Sequence, residues 1–311
     1  MPSNPLDKLL KPRFPSSAVG IRTGSASVVQ LERSRGSFAI KRAATIALPD
    51  NVVRSSFDES NVLDPNGLRA ALTDLVTSAG LLRQKKWSAA LPETAARTAI
   101  VTLETTGGSR REVEEVLEWK IERTFGAPLD ELRIGREELP ANEQKLARYL
   151  ITAVRSAILA EYESIFAAMG WHTGLMLPRH VGEEQWLTDG PAGDGLLLSG
   201  HEEGFTAVLL RNNRPLTLRS VFCNTEECDD ELHRLLLFYR DRAGSNGSAT
   251  SVNRLLVMGD LLNKQRVAEI AQETLGVNLR PLSAPEVGLT IPGDLPFDLI
   301  AAPAGLARLA W

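Results

Sequence analysis

Gly20-Ile21-Arg22-Thr23-Gly24-Ser25-Ala26-Ser27 and Leu198-Ser199-Gly200-His201-Glu202-Glu203-Gly204-Phe205-Thr206 occupy equivalent places in the two halves of this sequence. Each lies after a first strand pattern and before a second. Glycine-bearing hairpin turns let backbone N–H groups approach phosphate oxygens closely, because glycine has no side chain and tolerates positive φ. Two such turns are a way to grip a nucleotide between two domains. Each alone is also an ordinary hairpin turn, so the elements around them decide the reading.

Working outward from the first turn, residues 18–20, 27–31 and 38–47 read as a strand meander, with Ser34-Arg35-Gly36 turning the last pair. Asp64 before Pro65 predicts an N-cap with proline at the first helical position, and Leu68, Leu72, Leu75 and Ala79 then recur at helical spacing up to Gly80. Strands are expected at 87–91 and 99–103. Ser109 with Glu112 forms a capping-box pattern ahead of Val113, Val116, Leu117 and Ile121. Further strands are expected at 132–139, 147–154 and 175–177, with a helical stripe of Ile158, Tyr162, Ile165 and Met169 closed by Gly170. The Gly-Pro-rich stretch 190–195 is the linker candidate.

Around the second turn the pattern repeats. Strands are expected at 196–198, 205–210 and 216–221, with Asn212-Asn213 as the hairpin turn, then helices at 226–242, 264–275 and about 298–309 and a strand at 254–258. Each half is thus three strands followed by helices alternating with strands. The implied fold class is mixed α/β, with a small α+β unit inserted in the first half. The expected division is a flexible leader at 1–17, a first domain at 18–190 with the insertion at about 94–147, and a second domain at 191–311. In the leader, four prolines and Lys8, Lys11 and Arg13 accompany Leu6, Leu9, Leu10 and Phe14, so a short docking or membrane-surface element is the alternative there.

Composition bounds the function. A length of 311 residues suits two cores of about 150 residues each. Lys and Arg total 35 against 39 Asp and Glu, a formal charge of -4, which disfavours nucleic acid as partner. Cys223 and Cys228 are too few for a disulfide scaffold, and neither an apolar export signal nor a run of ~18 apolar residues is seen, so a cytoplasmic chain is expected. Cys223, Cys228 and His233 lack a fourth zinc ligand. His172, His180 and His201 lack a nucleophile elbow or H-E-x-x-H setting. No catalytic or metal residue is assigned. Arg83, Lys85, Lys86, Arg110 and Arg111 read as a solvated basic rim. Trp119 need not point with the apolar stripe of its helix, which makes it, with Lys120, the candidate partner-binding position.

Taken in order, these segments resemble the PilM proteins of type IV pilus assembly, actin-like relatives of the division protein FtsA. Gly20 to Val28 is similar to that family's first phosphate turn and Trp87 to Pro92 to the strand after its first helix. Arg111 to Leu132, with Val113-Glu114-Glu115-Val116, Trp119-Lys120-Ile121-Glu122 and Ala127-Pro128-Leu129-Asp130-Glu131, is similar to its inserted subdomain. Leu150 to Arg155, the helix to Gly170-Trp171, Glu231 to Arg240 and Gly305-Leu306-Ala307-Arg308 match later landmarks.

The resemblance implies a two-domain actin-like ATPase fold with an inserted subdomain. It implies a scaffold on the cytoplasmic face of the inner membrane that takes the cytoplasmic tail of a PilN-like membrane protein in a groove within residues 87–131, and that links motor to alignment complex. Contacts with motor components, assembly into homo-oligomers and membrane association through the partner belong to the same implication. The nucleotide site it implies comprises Gly20, Arg22, Thr23, Gly24, Ser25, Ser199, Gly200 and Gly259. Two of these depart from the family, which has acidic residues where Arg22 and Ser199 stand; an arginine or a serine cannot replace a carboxylate as an anionic ligand organising Mg²⁺. Weak or absent ATP binding is therefore expected, and no required cofactor, unless Glu202 or Glu203 replaces the missing acid. The alternatives are an active ATP-dependent enzyme of the actin and sugar-kinase group and a component of a related type II secretion system.

Overall fold

Apolar residues on both faces of a strand mean cover on both faces, and that rule accounts for the layering. The computed structural model describes residues 14–34, 36–104, 109–141, 144–188, 193–245 and 252–311; the expected leader falls almost wholly outside them, as does the first half of the linker. In β1 (Ser17–Ile21), Val19 and Ile21 enter one core while Ala18 enters another. In β4 (Lys86–Leu91), Trp87, Ala89 and Leu91 join the first core and Ala90 the second.

These strands belong to a six-stranded sheet ordered β13-β3-β2-β1-β4-β8, with β2 at Ser25–Ser34, β3 at Ser37–Ala47, β8 at His172–Pro178 and β13 at Leu289–Thr290. The meander β1-β2-β3 is antiparallel, and β1, β4 and β8 run parallel. Helices α1 (Pro65–Ser78) and α3 (Ser156–Ala168) close one core. Helix α7 (Phe297–Arg308) lies in the other.

The second sheet repeats the plan. Its order is β11-β10-β9-β12, with β9 at Asp194–His201, β10 at Gly204–Arg211, β11 at Arg214–Phe222 and β12 at Val252–Met258. Again a meander leads and the fourth strand pairs parallel with the first. Leu196, Leu198, Phe205 and Val257 pack with α5 (Cys228–Ser245) and α6 (Lys264–Leu275), whereas Leu197, Val208, Leu256 and Met258 share the core of α7. Helix α7 therefore sits in a core common to both sheets, and β13 returns the chain to the edge of the first.

Between β4 and β8 a third sheet is inserted, ordered β5-β7-β6, with β5 at Arg97–Thr102, β6 at Leu132–Leu139 and β7 at Arg148–Arg155. Helix α2 (Arg110–Phe125) packs on it through Leu117, Ile121 and Phe125.

The local signals act as read. The Asp64 carboxylate accepts from the backbone N–H of Asn66 and Gly67 ahead of α1. The Ser109–Glu112 capping box is closed in both directions. Asn212 and Asn213 take φ of 50° and 62°, the geometry that a two-residue hairpin between right-twisted strands requires. The structure also holds what the pattern did not announce: a short helix α4 (Arg179–Glu184), the strand β13, and a start of β9 at Asp194, within the expected linker. Asp194 is buried because Arg211 and the Tyr239 hydroxyl satisfy its carboxylate, at 2.8 Å and 2.7 Å. No helix among the described residues is long and apolar enough to cross a membrane.

Candidate functional site

The two turns come to face a buried polar cluster at the junction of the two sheets, and α4 builds that cluster. Helix α4 crosses α7 backbone to backbone: a Cβ on Gly182 would stand 2.2 Å from the Ala302 carbonyl oxygen, and one on Gly305 would stand 1.8 Å from that of Gly182. So close an approach carries all of α4's charged side chains inside. Arg179 grips Glu183 one turn along with two hydrogen bonds, of 2.8 Å and 3.2 Å, and donates to the Gly200 carbonyl at 3.3 Å. His180 Nδ1 lies 2.6 Å from Glu93, whose other oxygen accepts the His180 backbone N–H.

Burial alone would raise Glu93, but the charge and hydrogen bond of His180, helped by Arg179, hold it down at about 2. Burial likewise pulls His180 down, and Glu93 first, with Glu184 and Glu183, more than offsets it, so its pKa is raised. Glu184 has no such rescue. Burial, with Glu137 and Glu93 nearby, pushes it up to about 7 against the opposing pull of His180.

Arg22 extends from the first turn into this cluster. Its backbone N–H closes the turn on the Ser25 carbonyl at 2.8 Å. Its guanidinium, 20% exposed, lies 3.9 Å from Asp260 in the loop after β12, so it reaches from one sheet to the other. Burial and Arg179 lower its pKa, while Glu183, Asp260 and Asp298 oppose them. Three carboxylates thus face Arg22, none of them from the second turn. Glu202 and Glu203 are exposed at that turn's tip.

The other expected nucleotide positions divide. Thr23, Gly24 and Ser25 lie at the surface of the first turn, and a Cβ on Gly24 would meet open space. Gly20 instead packs against α7, where a Cβ would stand 3.0 Å from the Pro303 ring. Ser199 is fully buried with its hydroxyl unpartnered. Gly200 and Gly259 touch each other: Gly259 has φ +84°, and a Cβ there would fall 2.5 Å from the Gly200 carbonyl oxygen. This contact continues the β9–β12 pairing beyond Ser199 and Met258.

These donors do not fit a magnesium nucleotide. A guanidinium and an unpartnered hydroxyl stand where anionic oxygens would be needed. Among the described residues no group of three or more His, Cys, Asp or Glu is placed to hold a metal ion. Cys223 and Cys228 meet with sulfurs 2.8 Å apart, but His233 turns to the Thr274 hydroxyl.

The partner-binding candidates separate too. Trp119 stands 55% exposed on α2, with the Arg123 guanidinium 5.4 Å from its ring and Val116 exposed one turn before it. Lys120 is turned inward and donates to the Thr102 carbonyl at 2.8 Å, tying α2 to β5. Arg179, His180, Glu183, Glu184 and Glu93 were not among the expected site residues. The single trace of them in the sequence is a charged stretch directly after a strand.

Two sheets of the same 3-2-1-4 order, joined through crossing helices with an insertion in the first half, define a two-domain actin-like ATPase fold. Among solved structures, the chain is similar to the PilM–PilN type IV pilus biogenesis complex, with a TM-score of 0.75 and 19% identity over 96% of this chain and 99% of that one. Weaker likenesses include a Bacteroides thetaiotaomicron protein of actin-like ATPase fold (TM-score 0.49, 10% identity, 92% and 93% covered) and the cytoplasmic domain of EpsL from the type II secretion system of Vibrio cholerae (0.49, 10%, 94% and 93%). No family model and no curated protein matches the sequence.

Proposed function

We propose that this chain is a PilM-like scaffold of type IV pilus assembly, built as two actin-like domains at 18–190 and 191–311. In this reading it works at the cytoplasmic face of the inner membrane, binds the cytoplasmic tail of a PilN-like protein, and does so without hydrolysing ATP. The fold it shares end to end with PilM supports the pilus assignment. The observation that carries the nucleotide-independent part is Arg22: a cation replaces an acid, with Asp260 3.9 Å away and Glu183 and Asp298 acting on its charge, while its Nη1 has no hydrogen-bond partner among the described residues. A triphosphate with its metal would have to displace Asp260 and bring its cation up against this one. Coupling to nucleotide would also require that the ligand distinguish two domain arrangements.

The test is calorimetric titration with a synthetic peptide of the PilN-like tail from the same organism, with and without Mg-ATP. Micromolar binding of equal affinity in both conditions is the expected result. Binding that appears only with Mg-ATP would overturn the nucleotide-independent reading, and no binding in either condition would overturn the pilus reading.

A further inference from the structure

A groove of ≈ 900 Å³ lies between the inserted sheet and the second sheet. Two edge strands, β5 and β11, contribute to its walls, and residues of β9, β10, β12 and α5 add to the lining. β5 is outermost in the inserted sheet and bonds only to β7; β11 is outermost in the second and bonds only to β10. Edge strands present backbone N–H and C=O groups that an extended chain can pair with. Ile100 from β5, Leu216 from β11 and Phe238 from α5 supply apolar lining, and Phe238 is 39% exposed.

The charge of this groove runs against that of the chain. Among the described residues four arginines line it and no Asp or Glu does, although the whole chain carries a formal charge of -4. Arg211 is neutralised by Asp194. The other three have no carboxylate partner among the described residues: Arg148 donates to the Leu216 carbonyl at 2.5 Å, Arg219 lies 4.6 Å over the Phe238 ring, and Arg214 is exposed at the hairpin. Guanidinium groups held on aromatic and backbone supports keep their planar donor forks available for carboxylates. The chain's own first residues do not suit them, since Lys8, Lys11 and Arg13 outnumber Asp7 there.

We propose that this groove docks an acidic, extended segment of a partner protein, with carboxylates on Arg148, Arg214 and Arg219 and an apolar side chain against Leu216 and Phe238. Its arginines lie outside residues 87–131, the stretch expected to take the PilN-like tail, so it is proposed as a second docking site, and it does not depend on that assignment. Binding through it weakens with salt, because the rim charges are exposed.

Fluorescence anisotropy with a short fluorescein-labelled peptide alternating glutamate and leucine tests it, against a counterpart with lysine in place of glutamate. The glutamate peptide binds, the lysine peptide binds at least tenfold more weakly, and the double variant Arg214→Glu/Arg219→Glu loses at least tenfold in affinity for the glutamate peptide. Both arginines are exposed, and an unchanged melting temperature verifies the fold; if it changes, Arg214→Gln/Arg219→Gln is used instead. Failure of the glutamate peptide to bind, or equal binding by the double variant, overturns the proposal. If the wild type sediments as an oligomer and the double variant as a monomer, the occupant is a second copy and the partner assignment fails. The PilN-like tail peptide is titrated into the same variant: unchanged affinity separates the two sites, whereas its loss merges them and overturns the claim of a second one.

Discussion

Replacing Glu184 with glutamine removes a carboxylate that the fold buries at a cost, and the cost depends on pH in a calculable way. The side chain lies inside α4 at 6% exposure, where burial, Glu137 and Glu93 raise it from an ordinary 4.5 to about 7 while His180 pulls the other way. Below pH 4.5 the group is neutral in both folded and unfolded chains and carries no penalty. Between 4.5 and about 7 the unfolded chain releases its proton first, so stability falls as pH rises. Above about 7 both states are ionised and the full difference applies, about 3 kcal/mol at roughly 1.4 kcal/mol per pH unit.

Glu184→Gln is therefore expected to be more stable than wild type at pH 8 by up to about 3 kcal/mol, less whatever His180 loses with its neighbour's charge. At pH 4 the two proteins should be alike. Paired denaturant melts at the two pH values measure this. His180, itself raised chiefly by Glu93, also loses stability as pH climbs through its folded value; only the part of that slope due to Glu184 differs between the two proteins, and it reduces the expected gain. A gain of equal size at both pH values would show that shape rather than charge is responsible, and a loss at pH 8 would refute the assignment of a penalised carboxylate.

Two further substitutions probe the frame. Gly305→Ala drives a Cβ to 1.8 Å from the Gly182 carbonyl, so the crossing helices must part; a loss of about 3 kcal/mol or more is expected, read as a lowered melting temperature. Ser109→Ala removes the side-chain half of the capping box and should cost about 1 kcal/mol, confined to the inserted unit. Hydrogen exchange in α2 should then quicken while exchange in β1 does not.

What the sequence made legible is what local physics dictates. Alternation, caps and the Asn212-Asn213 turn revealed the duplicated meander and the inserted unit because each acts within a few residues. The phosphate turns were legible as turns, though not Gly20 as the surface against which Pro303 packs. Helix α4 escaped because its residues look solvent-facing: Arg179, His180, Glu183 and Glu184 are types seldom buried unless paired, and their partners Glu93 and Gly200 lie far along the chain. The same distance hid Asp260 and Asp298 beside Arg22. Lys120, named with Trp119 as the candidate partner-binding position, points elsewhere because one step along a helix turns a side chain by about 100°, and that step aims it at the Thr102 carbonyl.

Under the proposed nucleotide-independent role, the cluster around α4 would hold the actin-like frame. A triphosphate between two domains would supply negative charge that both halves grip. Here Asp260 of the loop after β12 lies 3.9 Å from Arg22, and Arg179 ties α4 to the Gly200 carbonyl of the second sheet. The Arg22–Asp260 contact adds little alone, since Asp260 is 89% exposed and such pairs contribute about 0–1 kcal/mol. The buried members matter more, because deleting either partner of a buried pair strands the other and costs about 3–5 kcal/mol. Arg179 with Glu183 and His180 with Glu93 therefore hold α4 in place against the end of β4, and the Arg179 bond to the Gly200 carbonyl carries that hold to the second sheet. A groove between the inserted sheet and β11 keeps its width only if the two sheets keep their relation, so under the proposed scaffold role this link would help preserve a docking surface.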